Sequence, residues 1–92
     1  MTKEQTTTGY NGWKNRQTWN VMLWLDNDEG AYRSYQERVK EYKRRNPNRR
    51  ILPGFVAKLW AKDALGDRTP DGISLNGNRV NWREIAAAML ET

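Results

Sequence analysis

The sequence predicts an all-α fold, a small single-domain bundle of about four helices. Three observations carry that reading. The chain has 92 residues, enough for one modest hydrophobic core. Four of its segments place apolar residues at helical spacing. Each segment opens at a residue suited to a helix start: Asn15, Asp28, Pro53 and Asn81.

The first segment follows Asn15, whose side-chain oxygen can accept an N–H of a first turn. Six of the seven residues from Trp19 to Leu25 are apolar. So short an apolar run also suits a buried strand. The cap, and the absence of branching at Cβ in Met22, Leu23 and Leu25, favour a central buried helix over about 15–26. The second helix runs over about 28–45, from Asp28 with Glu29 in its first turn. Tyr32, Tyr35, Val39 and Tyr42 form its apolar stripe. Glu29–Arg33 and Glu41–Arg45 are i,i+4 pairs, each worth about 0.2–0.5 kcal/mol. Pro47 ends the helix by restricting Asn46.

Pro53 suits the first turn of a third helix, with Phe55, Val56, Leu59, Trp60 and Ala64 as its apolar face and Gly66 as its C-cap. Residues 66–80 are a loop rich in Gly, Asp, Asn and Pro, with a minor hairpin expected at 73–80 around Asn76-Gly77. The last helix has the clearest start. Asn81 with Glu84 has the capping-box spacing, and Val80 and Ile85 hold the hydrophobic-staple positions. Trp82, Ile85, Ala86, Met89 and Leu90 then continue at i, i+3, i+4, i+7 and i+8. Residues 1–9 lack apolar content after Met1 and read as a disordered tail, leaving 10–92 as the domain. Trp19, Trp24, Trp60 and Trp82 are expected to pack together as the core around the first helix.

One run of residues is more specific than helical periodicity requires. It comprises Tyr10-Asn11-Gly12-Trp13, Asn15, Thr18-Trp19-Asn20-Val21, Leu23-Trp24-Leu25 and Asn27-Asp28-Glu29-Gly30. Together with Thr69-Pro70-Asp71-Gly72 and Val80-Asn81-Trp82-Arg83-Glu84-Ile85-Ala86, it resembles a family of small, largely uncharacterised proteins of bacteriophage, cyanophage and some bacterial genomes. The resemblance spans about 10–32 and 69–90 and brings no catalytic residue with it. It implies an origin in a phage or other mobile element, whose small proteins often bind a host protein or nucleic acid.

Composition excludes several chemistries. The chain has neither Cys nor His, which removes disulfides, thiolate nucleophiles, the commonest general base and the commonest metal ligand. Asp26, Asp28 and Glu29 fail the calcium-loop spacing, because Gly30 and Ala31 fall where a ligand and the turn glycine belong; they read as helix capping. Ser34 and Ser74 have no histidine to activate them, and no phosphate-cradling glycine motif is present. A non-enzymatic protein without cofactor or metal is expected. No apolar run approaches roughly 18 residues and no signal peptide opens the chain, so a cytoplasmic protein without membrane contact is expected.

The charge is concentrated. Residues 40–50 carry Lys40, Lys43, Arg44, Arg45, Arg49 and Arg50 against Glu41, a net +5 that equals the excess of the whole chain. Such a run can be the solvated end of a helix, where cations suit the dipole. It can also be a surface for an anionic partner, and four of its six cations are arginines, whose planar fork suits phosphate and carboxylate. Two partners fit: nucleic acid held through its phosphates, or an acidic surface on a host defence or regulatory protein. Contact of all six cations with a duplex would give a log–log salt slope near about −5. Tyr10 and Trp13, outside the helices, are candidate aromatic anchors, and would form a mixed aromatic–cationic surface if the fold brings them near Arg49 and Arg50.

Overall fold

The computed structural model describes residues 12–91. It contains four helices: α1 Arg16–Asn27, α2 Glu29–Arg45, α3 Gly54–Leu65 and α4 Trp82–Leu90. The expected tail at 1–9 and Tyr10 lie outside the described residues.

Three of the four starts are capped by the side chains the sequence singled out. Asn15 accepts the Thr18 N–H at 2.8 Å, Asp28 accepts the Ala31 N–H at 3.0 Å, and Asn81 accepts the Glu84 N–H at 3.2 Å. Asp28 also closes α1, donating its backbone N–H to the Trp24 carbonyl at 3.0 Å. Pro53 stands at the cap position of α3 rather than inside its first turn, and offers no side-chain bond. Gly66 closes α3 with φ of 86°, a conformation that favours glycine.

The capping box of α4 forms only by half. In the usual box, Glu84 would reach back to the Asn81 N–H. Here that N–H donates to the Thr18 hydroxyl at 2.9 Å, and the same hydroxyl donates to Asn15 Oδ1 at 2.7 Å. Glu84 instead accepts the Lys14 N–H at 3.0 Å, and Asn15 Nδ2 donates to the Arg79 carbonyl at 2.7 Å. The starts of α1 and α4 therefore exchange capping partners and are tied side by side.

The hairpin is not at 73–80. The chain reverses earlier, at Thr69-Pro70-Asp71-Gly72, where the Gly72 N–H donates to the Thr69 carbonyl at 2.8 Å. A single antiparallel bridge joins Arg68 and Ser74 across this turn. Pro70 at the second turn position and Gly72 at the fourth, with φ of 90°, suit the reversal. Tertiary contacts decide the matter. Leu75 is drawn into the core, and the Thr69 hydroxyl donates to Asn20 Oδ1 at 2.7 Å. Asn20 is only 1% exposed. Its Nδ2 donates to Asp71 Oδ2 at 2.8 Å, so one buried amide on α1 holds both ends of the turn.

The four-tryptophan core is also corrected. Trp19, Trp24, Trp60 and Trp82 are all half-buried, and the fully buried apolar interior is built of aliphatic side chains and Met89, with Tyr35 as its one aromatic ring among the described residues. Val21, Leu25, Val39, Leu75, Ile85 and Met89 fill it, with Ala57, Ala61 and Ala86 where helices meet. Trp60 and Trp82 cover the outside of this core, and Trp24 turns its indole N–H to Asp71 Oδ2 at 2.9 Å. Trp24 thus keeps its N–H on a polar partner, whereas the Trp82 N–H is buried without one and its ring serves as apolar cover.

The apolar face of α3 differs for the same reason. α3 packs most extensively against α4. A Cβ at Gly54 would stand 3.3 Å from the backbone of Trp82 and Arg83, so glycine permits the close approach at this end. Ala57 and Ala61 take the innermost line, flanked by Val56, Trp60 and Ala64, and Phe55 and Leu59 are turned outward. On α2, Ala31 enters the core and Tyr32 is exposed. Tyr35 is buried, donates to Asp26 Oδ1 at 2.6 Å and has its pKa pushed well above the usual phenol range, chiefly by burial and then by Asp26.

Two outcomes check this account. Asn20→Ala should lower unfolding stability in urea by about 2–3 kcal/mol, since it orphans the buried Thr69 hydroxyl and frees the turn. A loss below about 0.5 kcal/mol, the scale of an ordinary surface substitution, would show that the turn is held by other means. Thr18→Val removes the hydroxyl linking the two caps and should cost about 1–3 kcal/mol, whereas Thr18→Ser should restore most of it. Equal stability of the Val and Ser variants would contradict the shared cap.

Candidate functional site

The end of α2, the 46–52 segment and the outer face of α4 enclose a groove of about 960 Å³. Its α4 wall is formed by Arg83, Ala87, Leu90 and Glu91, which lie at i, i+4, i+7 and i+8 and so share one helix face. The opposite wall begins at Lys43 and continues through Pro47, Arg49 and Arg50. Ile51 and Leu52 complete the lining, with Leu52 buried in the core and Ile51 75% exposed.

The backbone that presents Ile51 is fastened. Tyr42 donates its hydroxyl to the Ile51 carbonyl at 2.9 Å, and its ring meets Trp60 edge to face at a centroid distance of 6.2 Å. Asn46 holds the preceding turn: its Nδ2 donates to the Tyr42 carbonyl at 2.9 Å and its own carbonyl accepts the Arg49 N–H at 3.0 Å. The groove thus has an aliphatic floor of Ile51, Leu52, Ala87 and Leu90 under Lys43, Arg49, Arg50 and Arg83, with Glu91 as its one carboxylate among the described residues. Its lining includes no aromatic ring among the described residues.

Residues 6–92 match the model of DUF7249, a family of unknown function. The chain belongs to that family. No curated protein and no solved structure matches it.

Within this DUF7249 chain the basic run is divided by the fold. Lys43, Arg49 and Arg50 face the groove and are joined there by Arg83. Arg44 and Arg45 are both engaged by Glu41: Arg44 at 2.6 Å and Arg45 at 2.7 Å from the same carboxylate oxygen. Lys40 lies on the flank of α2 with Tyr32, Gln36 and Glu37, outside the groove lining. Arg83 was not singled out from sequence, because it lies far along the chain from residues 40–50 in a part whose charges balance. Its signal is positional: it sits one turn before Ala87 on the outer face of the best-marked helix. Trp13 is half-buried against the hydrophobic core and does not line the groove, and Tyr10 lies outside the described residues.

The other residues considered for chemistry have local roles. Asp28 caps α2, Asp26 accepts from Tyr35, and Glu29 pairs with Arg33. Lys62 donates to Asn76 Oδ1 at 2.7 Å. Ser74 Oγ accepts the Asn76 N–H at 3.1 Å. Arg38 pairs with Asp63, tying α2 to α3. Asp71, facing Asn20 and Trp24 and near Arg16, keeps its carboxyl below the usual range through those hydrogen bonds. Among the described residues no group of three or more acidic side chains is placed to hold a metal ion. No helix among them is long and apolar enough to cross a membrane.

The Arg44 and Arg45 hydrogen bonds lower the Glu41 pKa to about 2. A folded-state value below the ordinary about 4.3 means that this contribution to stability is complete above that pH and fades as pH falls toward 2. Carboxyl NMR titration should show Glu41 protonating near pH 2 in the parent chain and near about 4.3 in an R44Q/R45Q variant. An unchanged midpoint in the variant would show that the two arginines do not hold it.

Proposed function

We propose that the chain is a non-enzymatic binding protein that engages an anionic partner with the groove between the end of α2 and the outer face of α4. The single observation that carries this reading is the convergence of four cations, brought from two distant parts of the sequence, over one aliphatic floor. The absence of His and Cys from the chain supports a binding role over catalysis. The motif resemblance supports a phage or mobile-element origin and a place of action in the host cytoplasm.

Nucleic acid, or a host complex that handles it, fits the cations: guanidinium groups pair well with phosphate oxygens and would set position rather than sequence preference. With four groove cations on a duplex, the salt slope becomes about −3.6 rather than the value for six. A second reading, an inhibitor seated on an acidic face of a host defence or regulatory protein, is favoured by the aliphatic floor.

Retention on immobilised heparin, eluted by salt, tests the proposal. R49Q/R50Q/R83Q and K40Q/R44Q/R45Q remove the same charge, one set from the groove and the other from the flank of α2. The groove variant should elute at much lower salt than the flank variant. Both should stay folded, since exposed charges contribute about 0–1 kcal/mol each. Co-elution of the two would mean that the groove is not the binding surface. Affinity capture from host lysate with and without nuclease then separates the two partners: nucleic acid is lost on digestion and an acidic protein is retained.

A further inference from the structure

We infer that the groove is built for an acidic, amphipathic segment of a partner protein, with carboxylates against the arginines and one or two apolar side chains seated on Ile51, Leu52, Ala87 and Leu90. The inference rests on the anionic-partner reading and names the partner class.

The floor distinguishes protein from nucleic acid. Ile51 is 75% exposed in the free chain, although its backbone is held by Tyr42. A rigid, exposed β-branched side chain gains by being covered with apolar surface. A phosphate backbone laid across it would bury the aliphatic carbons against charge and gain nothing from them. Single-stranded nucleic acid would need rings to stack on, and the groove lining provides none among the described residues. The charge requirement is equally specific. Arg49, Arg50 and Arg83 share the lining with Glu91 as its one carboxylate among the described residues, so an apolar segment without carboxylates would leave these arginines partly desolvated without a counter-charge.

Shape agrees with a segment laid along α4. The volume of about 960 Å³ lies at the upper end of ligand-cleft sizes. The α4 wall runs along two turns of one helix face, so an occupant lying beside it meets Arg83, Ala87 and Leu90 in succession. An amphipathic helix presenting residues at i, i+3 and i+4 fits such a groove, with acidic residues flanking the anchors.

A displayed library of random peptides of roughly 15 residues, about 22 Å long if helical, provides the test. It is selected on the full chain and counter-selected on R49Q/R50Q/R83Q. The expected winners carry excess Asp and Glu around Leu, Phe, Trp or Met anchors. A winning peptide should bind at least about tenfold more tightly than its own version with the anchors changed to serine, because buried anchors dominate such interfaces. Ile51→Ser, at an exposed position outside the core, should shrink that difference.

Winners without acidic residues, winners without apolar anchors, or no winners would overturn the inference. So would a duplex of random sequence that binds more tightly than every selected peptide and is indifferent to Ile51→Ser. In each of those cases the heparin comparison still decides the broader reading by itself: a salt shift confined to the groove variant keeps it, and co-elution removes it.

Discussion

The Thr18 hydroxyl sits between two helix starts. It donates to the cap residue of α1 and accepts from the cap residue of α4, and its side chain is fully buried. A buried hydroxyl must find partners or destabilise the fold, and here both are capping residues 66 positions apart, Asn15 and Asn81. The Lys14–Glu84 and Asn15–Arg79 bonds reinforce the same junction. Most of the rest depends on it. With the starts of α1 and α4 locked together, Ile85, Ala86 and Met89 point into the core, Arg83 and Ala87 point away from it, and Leu90 packs at its edge. The outward set becomes one wall of the groove.

A second polar junction, at Asn20, performs the corresponding task for the loop. Residues 66–81 contain no helix or sheet of their own beyond one bridge, so their backbone must be placed by side chains. Asn20 supplies an acceptor to Thr69 and a donor to Asp71, and Trp24 adds a second donor to the same carboxylate. Leu75 then enters the core as an apolar peg. In so small a domain, with limited apolar surface to bury, such satisfied polar junctions define a unique arrangement that aliphatic packing alone would leave degenerate. Many residues of the motif that stands out in the sequence, among them Asn15, Thr18, Asn20, Trp24, Thr69, Asp71 and Asn81, are the residues of these two junctions. That motif describes how the domain is held, and the groove lies beside it.

The electrostatics follow from helix geometry. Along α2, Glu41 reaches Arg44 and Arg45, three and four residues on, and both arginines spend their charge on it. Lys43 lies between Glu41 and these arginines in sequence but on a different side of the helix, toward α4. Beyond Asn46 the helical rotation ends, and the turn brings Arg49 and Arg50 back beside Lys43. A linear run of six cations thus becomes a groove of three plus Arg83, and a flank of three, of which Arg44 and Arg45 share Glu41.

The sequence by itself determined the fold class, the helix boundaries to within about one or two residues, and the caps at Asn15, Asp28 and Asn81, because these are decided within one or two turns by hydrogen bonds and φ restrictions. It marked the basic run but not its division, since helical rotation and a turn decide which of six neighbours face the same way. The tertiary structure alone decided which apolar residues are core. Amphipathic stripes give a direction to within about one residue position, and at α3 and α2 the alanines beside Phe55, Leu59 and Tyr32 won the inward place, because close helix contact favours small side chains. It alone moved the hairpin to Thr69–Gly72, since the partners that hold that turn, Asn20 and the core around Leu75, lie about 50 residues away or on other elements. It alone brought Arg83 to the basic run: no local pattern encodes a neighbour that only the pairing of two helix starts creates.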